Sequence, residues 1–482
     1  MNLADVLRGT AARHADRPAV TDVRSGRALT YGALARESER VSAFLARAGI
    51  EPGQRIGLVA PNATAYLPAA FGLLAAGGCL VPIASNLTRA ESERIACDVE
   101  LHGVLSWPEA APLEGAHDEQ TLADGECAGF RFAWLDRDAA GPPGFAATNP
   151  AFIRFTSGTT AESRGVVLSH EATSARVQAS DRVLRFGEDD RVFWVLPLAY
   201  HFAVTIVAYV RAGAHVVLAP DSLPHAMLSA IRELAPTVLY ASPLHFERLA
   251  AVGDGAKIEG VRVCLSTSAP ISPLVIDRFE SAYGVPVGQA YGIIEAGLPC
   301  INVRADGTPP TSVGRPVPGY GVRVFTDDGR EAAPGASGEI GLRGDGLFSA
   351  YYAPWRRLPE IARDGWFMTG DIGRFDRSGA LYLEGRTKAV IFVAGLKFFP
   401  EEVEECINRF PGIRESRVYG APHAHLGQVP QAEIAAHGPL DLEDLRAHCA
   451  TYLSPYKVPL EFTVVDAVAR TPGGKLLRRA TS

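Results

Sequence analysis

The chain has 482 residues, 47% hydrophobic and 21% charged, with a formal net charge of −7 and a pI near 6.0. That length exceeds one ordinary core and calls for about two or three domains. The acidic balance, with basic residues scattered rather than striped, excludes the usual nucleic-acid partner. The seven cysteines include no Cys-x-x-Cys pair, so neither a zinc site nor a disulfide framework is indicated, and a reducing compartment is.

Met1 to Val6 lacks the basic-then-apolar layout of a signal peptide. The most apolar stretch, Phe71 to Ile83, is short and broken by Gly77, Gly78 and Pro82. No integral membrane segment is expected, and a cytoplasmic location is. Leu34, Val41 and Leu45 recur at helical spacing before Gly49. Arg55 to Ala60 reads as a strand, Asn62 to Ala76 as a helix and Cys79 to Ile83 as a buried strand. Such alternation predicts a parallel sheet with helices on its faces. From Trp107 to Pro150 the pattern fails, and the segment reads as variable surface with short pieces of structure.

Ala151 to Phe155 reads as a strand, and regular structure resumes at Val166 to His170. Between them lies Thr156-Ser157-Gly158-Thr159-Thr160-Ala161-Glu162-Ser163-Arg164-Gly165. Small residues let backbone N–H groups approach phosphate oxygens, hydroxyls add donors and Arg164 adds charge, so the composition suits an anion-binding loop. A polar surface loop is the plainer reading of the same residues. No G-K-[ST] occurs here, which separates it from the P-loop.

Strand-like runs at 191–196, 215–218, 237–240 and 261–265 then alternate with helical stretches at 223–234 and 273–283, which predicts a second doubly wound unit. Ligands bind at the carboxyl ends of such strands, where Pro197 to His201, Ser266 to Pro270 and Gln289 to Gly292 lie. Gly314 to Leu383 carries turn signals between short alternating strands and predicts a small antiparallel β unit. Val390 to Val393 and a helix opening at Pro400 with Glu401 and Glu402 begin a small α+β domain. The expected fold is therefore α/β: a large N-terminal domain over 1–386, with two doubly wound sheets and the small β unit, then a small mobile α+β domain over 387–482.

Five stretches now stand in order: Thr156 to Gly165, Tyr291-Gly292-Ile293-Ile294-Glu295, Thr369-Gly370-Asp371, Gly385-Arg386-Thr387-Lys388, and Pro472 to Arg478. Together they resemble the adenylate-forming superfamily of AMP-forming acyl-CoA synthetases, amino-acid adenylation domains and luciferases, from Leu29-Thr30-Tyr31 nearly to the end of the chain. The resemblance implies two steps. ATP and a carboxylate give an acyl-adenylate and pyrophosphate, and a thiol, usually that of coenzyme A, then takes the acyl group. A carboxylate is a poor acyl donor because oxide would have to leave, whereas AMP leaves readily; the first step needs positioning and charge neutralisation more than covalent catalysis.

The resemblance also implies roles. Thr156, Ser157, Gly158, Thr159, Thr160 and Arg164 would hold ATP phosphates, and Tyr291 would pack on adenine in a slot lined by Ala269, Pro270, Gln289, Ala290 and Gly292. Glu295 would ligate Mg²⁺, Asp371 would accept the ribose hydroxyls, and Arg386 would help at the nucleotide. Lys475 would steady charge developing between carboxylate and α-phosphate. His201, in a Pro-Leu-x-x-His stretch, would lie by the carboxylate pocket and gate the thiol. Gly395 would line the pantetheine tunnel, and Lys388 would be the hinge for domain rotation between half-reactions. Ala161, Ser163 and Arg164 replace the family's usual Gly, Pro and Lys, Ile294 replaces a Thr that donates to the α-phosphate, and Ala389 stands where an acid is expected.

The favoured reading is an acyl- or aryl-CoA synthetase acting on a small-molecule hydrophobic acid, its pocket walled near 201–206, 240–245 and 293–299, with His245 a polar candidate. Three others stand beside it. One is a stand-alone adenylating enzyme that loads the phosphopantetheine of an acyl carrier protein; another is a degenerate, non-catalytic nucleotide binder. The third is an amino-acid adenylation domain, against which the absence of an acid after Pro197-Leu198 and of an appended carrier domain both count.

Overall fold

Apolar runs with no polar alternation make the central strands. Arg55–Ala60 and Cys79–Ala84 are buried almost throughout and pair in parallel, as strands covered on both faces must. The computed structural model describes residues 1–135, 141–155, 165–219, 223–304, 307–386, 389, 391–393, 396–423, 426–470 and 476. Its described residues divide into two compact units, the first taking in those of 1–155, 165–321 and 343–365, the second those of 322–342 and from 366 on.

The first unit holds two nine-stranded sheets. In one, Pro150–Phe155, Cys79–Ala84, Arg55–Ala60 and Gly103–Ser106 run parallel. Arg131–Leu135 and Ala116–Thr121 extend it by antiparallel pairing. These last two lie where the sequence shows no pattern. Ala116–Thr121 is an exposed edge strand that buries no face, so nothing forces its residues to alternate. On the other side Gly165–Ser169 pairs with Ala350–Tyr351, which lies inside the segment read as the small β unit. That short strand leaves the unit to close the first sheet.

The second sheet runs parallel through Pro18–Asp22, His215–Leu218, Arg191–Trp194, Val238–Ala241, Val263–Ser266 and Gly288–Ile293. Its helices start where the chemistry favours them. Thr30 accepts a hydrogen bond from Ala33 N to cap Tyr31–Arg47, Ser169 caps His170–Leu184 in the same way, and Pro243 and Pro273 open two more. Tyr31–Arg47 meets Tyr66–Ala75 at Gly72, where a Cβ would come within 2.7 Å of the Ser38 carbonyl.

The antiparallel sheet of Gly321–Phe325, Gly338–Arg343, Phe367–Phe375 and Leu381–Arg386 lies in the second unit but for its end residues Gly321 and Arg343. A five-stranded sheet follows, covered by Pro400–Asn408 and Leu442–Tyr452 around a core that includes Val403, Ile407, Val418, Ile434 and Leu445. The architecture is the expected α/β one.

Candidate active site

In the first unit, the strand Pro150–Phe155 pairs antiparallel with Gly165–Ser169, and Phe155 stands opposite Gly165. The hydroxyl-rich loop therefore begins and ends at one point of the sheet. Thr156, Ser157, Gly158, Thr159, Thr160 and Arg164 themselves lie outside the described residues, as do Lys388, Gly395 and Lys475.

Glu295 follows the strand Gly288–Ile293 in a tight turn, with Ala296 N bonded to Ile293 O at 3.1 Å. Three contacts fix it. Its carbonyl accepts from Phe348 N at 2.7 Å and from Arg176 Nη2 at 3.2 Å, and Tyr351 donates its hydroxyl to Oε1 at 3.0 Å. Arg176, only 2% exposed, also donates to Ile294 O at 3.0 Å and to Gly346 O at 2.7 Å. This guanidinium thus holds the turn through its carbonyls, while burial pulls its pKa below the ordinary arginine value. Gly292 is required by close approach, since a Cβ there would sit 3.0 Å from Gly297 O and 2.9 Å from Leu298 Cδ2.

Ala290 and Tyr291 are buried in the same strand. Gln289 is buried too, and both ends of its amide are occupied: Oε1 accepts from Ile271 N at 3.4 Å, and Nε2 donates to Pro310 O at 2.6 Å. It ties down the loop carrying Ala269 and Pro270. Just before them Ser268 has φ +76°, a left-handed conformation a serine adopts only when its surroundings impose it.

His201 closes the short helix Leu198–His201, and a π-helical turn, Phe202–Ile206, follows at once. Such turns recur at functional sites because they widen a helix. The imidazole lies edge-on to Trp194 at 5.5 Å and to Tyr240 at 6.2 Å, and those two rings stack on each other. Asn62 clamps the approach to this helix, donating to Leu196 O at 2.9 Å and accepting from Leu198 N at 2.8 Å. His245 shares a 2.7 Å hydrogen bond with the Ser242 hydroxyl through Nδ1. Asn62, Arg176 and Tyr351 carry no motif, and tertiary contact alone marks them.

In the second unit Asp371 and Arg386 face each other across two antiparallel strands, with Arg386 Nε donating to Asp371 Oδ1 at 2.7 Å. Gly370 (φ +74°) donates its N–H to Glu339, and the Thr369 hydroxyl accepts from Asp371 N, so the acid is buried in a fixed turn.

Among the described residues no group of three or more His, Cys, Asp and Glu could hold a metal unaided. Glu295 still fits a small hard cation. It is one oriented carboxylate, and Mg²⁺ ordinarily takes one or two such ligands and fills its remaining sites with water and phosphate oxygens. No helix among the described residues is long and apolar enough to cross a membrane.

A family model described as AMP-binding enzyme matches residues 7–352, and one described as AMP-binding enzyme C-terminal domain matches residues 402–475. The chain is 32% identical to the sulfoacetate–CoA ligase of Cupriavidus necator, over 99% of this chain and 96% of that protein. It is 30% identical to the fatty acid–(acyl-carrier-protein) ligase ScoC of Streptomyces coeruleorubidus, over 94% of this chain and 91% of that one. Among solved structures, ATP-bound MatB from Rhodopseudomonas palustris superposes with a TM-score of 0.84 at 25% identity, covering 99% of this chain and 97% of that one.

Proposed function

The chain belongs to the AMP-binding enzyme family as an AMP-forming acid–thiol ligase of the acyl-CoA synthetase branch, and from that premise we propose that it activates a hydrophobic acyl or aryl acid and passes it to coenzyme A. The observation that carries the choice of acid is the wall behind His201. Phe202 packs against Tyr66, Phe71 and Phe152, and His201 lies against Trp194 and Tyr240, so aromatic carbon dominates the surroundings of this stretch.

In this reading the loop 156–164 and Arg164 hold the ATP phosphates. Tyr291, with Ala269, Pro270, Gln289, Ala290 and Gly292, receives the adenine, and Asp371 with Arg386 receives the ribose. Glu295, steadied by Tyr351 and Arg176, orients the Mg²⁺ that neutralises phosphate charge. Lys475 stabilises the charge that builds as the acid oxygen attacks the α-phosphate. Residues 387–482 form the mobile domain, turning about Lys388 between half-reactions, with Gly395 lining the pantetheine tunnel and His201 gating the thiol.

ATP–pyrophosphate exchange across a panel of acids tests the reading. Aryl and medium-chain acids should support exchange. Because one relative is named for sulfoacetate, the panel includes that acid; activity confined to amino acids or short hydrophilic acids contradicts the proposal. Transfer to an acyl carrier protein is a second reading, favoured by the likeness to ScoC, and a carrier bearing phosphopantetheine offered against coenzyme A separates the two.

A further inference from the structure

Arg154 is a charged residue inside an apolar strand, Pro150–Phe155, and it stands two residues before the hydroxyl-rich loop. It is 5% exposed. A guanidinium offers five N–H donors, and burying them without acceptors is costly. Yet among the described residues no group accepts a hydrogen bond from it and no carboxylate pairs with it within 4.0 Å. Arg176, the other buried arginine nearby, shows the ordinary solution, with its donors spent on three carbonyls.

A second donor is stranded beside it. The Tyr66 hydroxyl is buried and has no hydrogen-bond partner. Its ring and that of Phe152 each lie 6.0 Å from Phe202, the residue after His201. Strand alternation puts Arg154 on the same face as Phe152. Arg154 and the Tyr66 and Tyr200 hydroxyls act on one another electrostatically, which supports the same placement, while burial and the like charge of Arg176 pull the pKa of Arg154 down to about 10. Arg154, with no acceptor among the described residues, and the unpartnered Tyr66 hydroxyl thus act on each other beside the His201 helix, where the acid is proposed to bind.

We propose that Arg154 and Tyr66 together receive an anionic oxygen of the acid substrate, so that the acid, and not ATP, completes their hydrogen bonding. The inference rests on the proposed assignment of the His201 flank to the acid. The anionic oxygen belongs either to the reacting carboxylate or to a second acidic group on the same molecule, and both offer the planar or forked acceptor that a guanidinium matches.

The test is ATP–pyrophosphate exchange with benzoate, octanoate, malonate and sulfoacetate on the full chain, comparing wild type with Arg154→Met, Arg154→Lys and Tyr66→Phe, each also followed by thermal melting. Loss of charge-assisted hydrogen bonds predicts an acid KM about 10- to 100-fold higher for Arg154→Met, a smaller rise for the other two, and an ATP KM near wild type. Arg154→Met should melt no lower than wild type, because it removes a buried charge that has no partner among the described residues. A rise for every acid assigns the reacting carboxylate, and a rise for the dianions alone assigns the second group. An unchanged acid KM, a rise confined to ATP, or lower melting with unchanged KM values overturns the inference. If Arg154→Met does not fold, Tyr66→Phe carries the same test. Wild type inactive with every acid would instead count against the proposed function.

Discussion

Tyr351 donates its hydroxyl to Oε1 of Glu295 at 3.0 Å, and these residues are 56 positions apart in the chain. The bond exists because the strand Ala350–Tyr351 joins the first sheet beside Gly165–Ser169 while Glu295 sits in the turn after the strand Gly288–Ile293 of the second. It aims the carboxylate, and a partner that orients a metal ligand typically governs about 10-fold or more in metal affinity. Tyr351→Phe is therefore expected to raise the Mg²⁺ concentration for half-maximal pyrophosphate exchange about 10-fold while leaving the acid KM unchanged. A Mg²⁺ titration at saturating ATP reads this directly, and an unchanged midpoint would remove Glu295 from the proposed metal site.

The pair Asp371–Arg386 lies on the second unit, and Arg386 is 59% exposed, so the ion pair contributes little to stability. Its proposed value lies in placing the acid for the ribose. Asp371→Asn should melt close to wild type and raise the ATP KM about 10-fold or more, as the loss of a hydrogen bond to a charged group requires. A normal ATP KM with a lowered melting temperature would make the residue structural.

Asp190 gives a pH prediction away from the site. Burial acts to raise its pKa, but hydrogen bonds from Arg262, Thr237 and Gly187 N outweigh it, and the net shift is downward. A carboxyl whose pKa is depressed by folding adds stability above its unfolded value and loses it as pH falls through the folded value. Asp190→Asn should thus destabilise at pH 7 by about 2 kcal/mol, at the modest end because Arg262 is 39% exposed. The difference should shrink as the pH drops below the ordinary aspartate range. Urea unfolding at several pH values checks the sign, and a gap that widens in acid would reverse it.

Lys475→Ala separates the half-reactions. Loss of one preorganised transition-state donor costs about 10²–10³ in rate. Adenylate formation should fall by that much, while thioester formation from supplied acyl-adenylate stays near the wild-type rate. Equal loss in both would contradict domain alternation.

The fold was legible where burial was two-sided. Runs such as Cys79–Ala84 and Arg55–Ala60 read as strands and are strands, buried almost throughout. The edge strand Ala116–Thr121 was not, because an exposed polar strand leaves no periodic signal. The same division applies to the site. Glu295, Asp371, Arg386 and His201 stood in ordered motifs that sequence displays. Asn62, Arg176 and Tyr351 act through contacts made only when distant segments meet. Arg154 offered one overlooked signal, a charge amid Ala151, Phe152, Ile153 and Phe155. Its meaning needed the structure, which leaves it buried and without an acceptor among the described residues.

The most direct measurement is mass spectrometry of the protein incubated with ATP, Mg²⁺ and the best acid of the panel, before and after coenzyme A is added. The account predicts a trapped acyl-adenylate with pyrophosphate in the first sample, then AMP and the acyl-CoA thioester in the second. ADP with an acyl phosphate, or adenylate that no thiol discharges, would contradict it.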